Sequence, residues 1–228
     1  MDILVATRQT RLPMAPTEVK RAITGVEVAV MYACVLSYIW RWQYSHPRSW
    51  ILLLAIVLAT HIAHRDTMRD LGLTRFELRS SAQSILPLAL VVYLPLILVG
   101  LLSGRIRWVI PGFTALAYLG SYGFWCLCQQ YLTQSYFHNR LMSVLHNRHL
   151  SSLLVAVMFG AAHLPNPVLT AVTTLGGLIF SEVFARHRNI WPLALAQTAG
   201  GFLVAAVTPA WLIHNMRVGP GYWFWGIR

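Results

Sequence analysis

The 228-residue chain is 57% hydrophobic and only 11% charged, which excludes an ordinary soluble core. Its apolar runs of about 18 residues or more suit helices crossing a hydrocarbon layer of ~30 Å, and the short alternating segments of a barrel are missing. The basic excess, 18 Lys plus Arg against 7 Asp plus Glu, lies between the apolar runs, so it reads as membrane flanks and not as a nucleic-acid surface.

Residues 1–22 carry basic side chains but no apolar stretch ending in a small-residue cleavage site, so they read as a cytoplasmic N-terminal segment rather than a signal peptide. The hydrophobic pattern then predicts helices over about 23–42, 49–64, 83–103, 108–140, 150–164, 167–185 and 190–213. This is an all-α, polytopic transmembrane helix bundle of seven spans, or eight if the long fourth helix breaks at Gly120 or Gly123. With seven spans, alternate flanks carry twelve and six Lys plus Arg, which places the N-terminus in the cytoplasm. Between the second and third helices, the polar stretch 64–79 with spaced Leu and Phe predicts a short amphipathic element in the headgroups. Residues 215–228 end in four clustered aromatics and an arginine, the composition of an interfacial anchor. Without an internal repeat or a linker, residues 23–214 read as one transmembrane domain. Cys34, Cys126 and Cys128 all lie in apolar runs and are expected to be free thiols.

Polar groups inside apolar helices are costly, so those present are the candidates for function. Gln130 and Gln134 lie one turn apart on the fourth helix, with Gln129 and Thr133 on the neighbouring row. Such a stripe serves as interhelical hydrogen-bonding glue or as a site. His163 closes the fifth helix just before Pro165 and Pro167, at a corner that water reaches. Gln197 lies inside the seventh helix, and Glu182 late in the sixth, where it is expected to pair with an arginine of 185–188. Cys126 shares a face with Gln129 and Gln130, but a thiol in apolar surroundings is usually inert.

Three stretches carry a resemblance when taken together: Gln129-Gln-Tyr-Leu-Thr-Gln134, then Phe159-Gly-Ala-Ala-His163, then Asn189-Ile-Trp-Pro-Leu-Ala-Leu-Ala-Gln197. In order, spacing and flanking residues they resemble the motifs of the CPBP (CAAX protease and bacteriocin-processing) intramembrane endopeptidases, over about residues 70–205 including Leu71-Gly-Leu73. That family's motifs are Glu-Glu-x-x-x-Arg, Phe-x-x-x-His and His-x-x-x-Asn. Carried over by position, Gln129 and Gln130 stand in place of the two glutamates, Gln134 of the arginine, Gln197 of the second histidine and Gly201 of the asparagine. Only His163 is unchanged. The resemblance implies a membrane-associated protein or peptide substrate and a multi-pass protein of a bacterial inner membrane.

The family's glutamate takes a proton from the attacking water, and a glutamine amide has no accessible basic pKa with which to do so. One imidazole among neutral amides is also a poor ligand set for zinc, so neither metal nor cofactor is expected. The resemblance leaves two readings: an endopeptidase with a divergent site, or a pseudoprotease that binds a membrane segment without cutting it. A small transporter or channel subunit is a third, without the repeated halves that would favour it. All five residues, Gln129, Gln130, Gln134, His163 and Gln197, are expected to converge on one cavity.

Overall fold

In a computed structural model that describes residues 16–104 and 113–224, the chain is all-α, with no strand among the described residues. The expected elements at 1–15, 105–112 and 225–228, including the end of the aromatic tail, lie outside the described residues.

Among the described residues, seven long rods follow one another. The first, α1, is Pro16–Ser37, prolonged by a π-helical turn Tyr38–Trp42 and by Gln43–Ser45. Next come α2 (Trp50–His64) and α3 (Leu78–Leu102). The fourth, α4, is Phe113–Gln130, running on without a break through a π-helical stretch Tyr131–His138 into Asn139–Leu145. Then follow α5 (Arg148–Ala161), α6 (Pro167–His187) and α7 (Trp191–Val207). The rods match the seven read from the sequence, and the break at Gly120 or Gly123 that would have made eight does not form. By length and composition, residues 17–45, 47–64, 78–102 and 167–187 are able to cross a membrane, while 148–161 and 191–207 are shorter apolar helices. The chain is an integral membrane protein.

Contacts sort the turns into two groups. At one end Arg21 bonds the Val144 carbonyl, Asp66 meets Arg140, and Asn139 bonds the Asp70 carbonyl. At the other end a Cβ on Gly219 would touch the Ile39 carbonyl, and the Gly219 amide bonds the Leu164 carbonyl 2.8 Å away. The rods therefore run alternately up and down, as short connections between neighbours require.

Apolar packing joins α1, α2, α4 and α5 through Val28, Met31, Val57, Tyr136, Phe137 and Val155, and joins α3, α6 and α7 through Ile85, Phe180, Phe184 and Leu193. Between α5 and α6 the backbones approach closely over Gly160 and Gly177, as small residues allow between membrane helices. A Cβ at Gly160 would lie 1.9 Å from Thr174 Oγ1 and 3.1 Å from the Thr170 carbonyl oxygen. Gly160→Ala is thus expected to lower stability by about 1–3 kcal/mol through overpacking, outweighing the gain in helix propensity. A thermal melt in detergent checks this, and a variant as stable as the parent would show that α5 and α6 yield easily.

A polar network, missed in the sequence, sits where α1, α2 and α4 meet. Arg140, 3% exposed, donates from Nε to Glu27 Oε1 at 3.1 Å and from Nη2 to Asp66 Oδ2 at 2.7 Å. His64 Nε2 lies 2.8 Å from Glu27 Oε2, His61 Nδ1 lies 2.7 Å from Asp66 Oδ2, and the Tyr136 hydroxyl donates to Glu27 at 3.0 Å. Burial alone would raise the Asp66 carboxyl, yet hydrogen bonds from Arg140 and His61 hold it below the usual carboxylate range.

Two expectations need correction. The stretch 64–79, expected as a short amphipathic element, is over residues 65–77 a series of turns clasped to the bundle, with Leu71 buried. Leu71 O accepts from Ser135 Oγ at 2.6 Å, Gly72 O from the Ile190 amide at 3.1 Å, and Leu73 O from Trp191 Nε1 at 3.2 Å. The Asn189 side-chain amide donates to the carbonyls of Thr74 and Phe76. Gly72 has φ +70°, and a Cβ there would strike the Phe184 ring at 2.7 Å, so glycine is required twice over. Glu182, in turn, pairs across to His149 at 2.9 Å and more loosely to Arg148 at 3.9 Å, rather than to its own helix end.

Candidate functional site

The three glutamines nearest the centre form a directional chain between α4 and α7. Gln130 Nε2 donates to Gln197 Oε1 at 2.7 Å, and Gln197 Nε2 donates to Gln129 Oε1. Amides in this setting satisfy one another because lipid offers no water to do so. Gln130 is fully buried, and its Oε1 has no hydrogen-bond partner. Gln134, 1% exposed one turn on, likewise has an unpartnered Oε1.

Beside this chain lies a cavity of about 230 Å³ enclosed by α3 to α7 and the turn after α7. Gln129, Gln197 and His163 line it, together with Tyr93, Tyr122, Thr173, Gly200 and Gly201. The rest of its wall is aliphatic or aromatic, and no Asp, Glu, Lys or Arg among the described residues borders it. Leu88, Trp125 and Leu175 line the cavity and are also exposed, so it opens at the surface of a bundle whose outer faces, at Val91 and Phe124 for example, are apolar. Of the five expected residues, three line the cavity. Gln130 reaches it only through Gln197, and Gln134 is buried in the bundle outside the lining.

His163 is held by its own helix: Nδ1 lies 2.7 Å from the Phe159 carbonyl oxygen, and the ring meets the Phe159 ring edge-on at 4.9 Å. A carbonyl only accepts, so Nδ1 carries the proton and Nε2 is left with the lone pair. The corner beyond is fixed by Asn166, which caps α6 through the Leu169 amide and donates to the carbonyls of Ile213 and Arg217. That turn brings Met216 and Val218 into the cavity wall.

Sequence reasoning missed the tyrosines. A Cβ on Gly201 would lie 2.0 Å from the Tyr122 hydroxyl oxygen and 2.7 Å from Cζ, so the tyrosine occupies the volume that a side chain at 201 would need. Tyr93 presses in the same way on Gly200 and donates its hydroxyl to the Ala196 carbonyl. The signal was the adjacent glycine pair inside a helix, which marks close approach of something bulky. Cys126 is buried and does not line the cavity, and among the described residues no group of three or more His, Cys, Asp or Glu is placed to hold a metal ion.

Residues 111–203 match the family model described as type II CAAX prenyl endopeptidase Rce1-like. No curated protein and no solved structure matches the chain. The matched stretch holds all three motifs, while residues 70–110, included in the motif-based resemblance, fall before it.

Proposed function

We infer that the chain, whose residues 111–203 match the type II CAAX prenyl endopeptidase Rce1-like model, belongs to the CPBP family that its motifs resemble. We propose that it is a pseudoprotease of that family, in which the cavity binds an apolar, membrane-associated protein segment and the glutamate-driven attack of water is lost. The observation that carries this reading is the wall itself: among the described residues no carboxylate borders the cavity, and the two glutamate positions are amides engaged with Gln197. Tyr122 against Gly201 adds that the asparagine position is refilled by a side chain from α4. The arginine distribution supports a cytoplasmic N-terminus, and we take the membrane to be a bacterial inner membrane.

A second reading, slow endopeptidase activity, is favoured by one observation. The Phe159 carbonyl holds His163 Nδ1, leaving Nε2 as the one basic nitrogen of the cavity wall. In this reading His163 takes the proton from water in place of a glutamate.

Both are tested with protein reconstituted in phospholipid vesicles and a fluorescent prenylated peptide, following binding by anisotropy and cleavage by mass spectrometry. Saturable binding without new fragments, from the unmodified protein and from His163→Ala alike, is the expected result. Multiple-turnover cleavage that His163→Ala abolishes would sink the pseudoprotease reading and establish the second.

A further inference from the structure

The hydrogen bonds of the glutamine chain run one way, from Gln130 to Gln197 to Gln129. Its last member, Gln129, accepts through Oε1 and, among the described residues, makes no hydrogen bond to protein through Nε2, at a position on the cavity wall. His163 also lines the cavity, beside Gln197, Tyr93, Tyr122 and Thr173, and its Nε2 is an acceptor because Nδ1–H is spent on the Phe159 carbonyl. The cavity thus offers an N–H donor and a ring-nitrogen acceptor, opens between apolar faces and has no lining charge among the described residues. An ionised headgroup or free carboxylate entering there would lose its hydration and meet no cation, a large cost. An amide loses less and finds both partners: its carbonyl accepts from Gln129 and its N–H donates to His163.

From this wall we infer that the cavity selects an apolar chain presenting an uncharged amide, an internal peptide bond or a capped end, and rejects one ending in a free carboxylate. The inference rests on the binding reading above and adds to it the chemistry of the group that is read. Selection arises because the position that could have attracted or repelled charge, 129, carries an amide whose carbonyl is already engaged by Gln197.

The test uses the full-length protein in detergent micelles and two probes that differ in one group: N-acetyl-S-farnesylcysteine with its free carboxylate, and the same compound as its primary carboxamide. Dissociation constants are measured at pH 7.5, where the first is ionised. The carboxamide is expected to bind at least about tenfold more tightly, which would correspond to one good hydrogen bond together with the avoided desolvation of a charge. Gln129→Met, which keeps the bulk and removes the donor, is expected to weaken the carboxamide at least threefold while leaving the carboxylate unchanged. Preference in the unmodified protein decides the matter even if that variant folds poorly. A carboxylate that binds as tightly as the carboxamide overturns the selectivity while leaving the binding reading intact. Binding of neither probe overturns both.

Discussion

Replacing Gln129 and Gln130 by glutamate, Gln134 by arginine and Gln197 by histidine in one variant is expected to raise cleavage of a prenylated peptide by on the order of 10²–10⁴ over the unmodified chain, the usual worth of a positioned general base. The geometry favours the combination over its parts. Residue 197 bridges 129 and 130, so a histidine there would stand between two carboxylates, and residues 130 and 134 are one turn apart, the spacing of a helical Glu–Arg pair. Gln130→Glu alone would put a charge at a fully buried position with no cation beside it, at a cost of several kcal/mol. Membrane yield and cleavage are compared across the unmodified, single and four-fold variants. Gly201→Asn added to the four-fold variant is expected to lower the yield again, because the Tyr122 ring must leave before an asparagine fits. Strong cleavage by the unmodified protein that the four-fold change destroys would refute the neutralised-site view.

Arg140→Met is expected to destabilise the protein by about 2–4 kcal/mol, toward the lower end of the cost of leaving buried carboxylates without their cation, because Glu27 and Asp66 are only partly buried. Glu27 and Asp66 both face this guanidinium, and no other arginine or lysine bonds either of them among the described residues. Adding Glu27→Gln and Asp66→Asn to Arg140→Met should recover much of the loss, since uncharged residues carry no such penalty. Melting in detergent reads both steps. The part contributed by Asp66 has a definite sign: its carboxyl titrates lower in the folded chain than in the unfolded one, so this stability is fully present above the unfolded pKa and is lost as pH falls through the lower, folded value. A loss appearing only near neutral pH would show that Asp66 is not its source.

The rods were legible because apolar runs of membrane length admit little else, and the Gln130–Gln197 contact because amides at membrane depth need each other. Arg140 was not. It is 113 positions from Glu27, which sits inside an apolar run, and nothing local marks either as half of a pair. Glu182 misled in the opposite way: arginines stood nearby in sequence, whereas its partner His149 is 33 positions off on the preceding helix. In the cavity, the residues named from the motifs were the polar ones. The tyrosines that reshape it looked like ordinary aromatic membrane residues, and only the facing glycine pair betrayed them.

The clasp over 65–77 is built so that the loop contributes chiefly its backbone: Asp70, Leu71, Gly72, Leu73, Thr74 and Phe76 all present carbonyl oxygens, while the reading groups belong to Ser135, Asn139, Asn189, Ile190 and Trp191. A carbonyl is the same whatever residue bears it. Mutational tolerance is therefore lopsided across this contact. The outward positions of the loop, Met68 among them, are free to drift, and the lock would go on recognising a chain whose spelling had changed. Gly72 and the side chains at 189 and 191 have no such latitude, because one supplies the only backbone path that fits and the others do the reading.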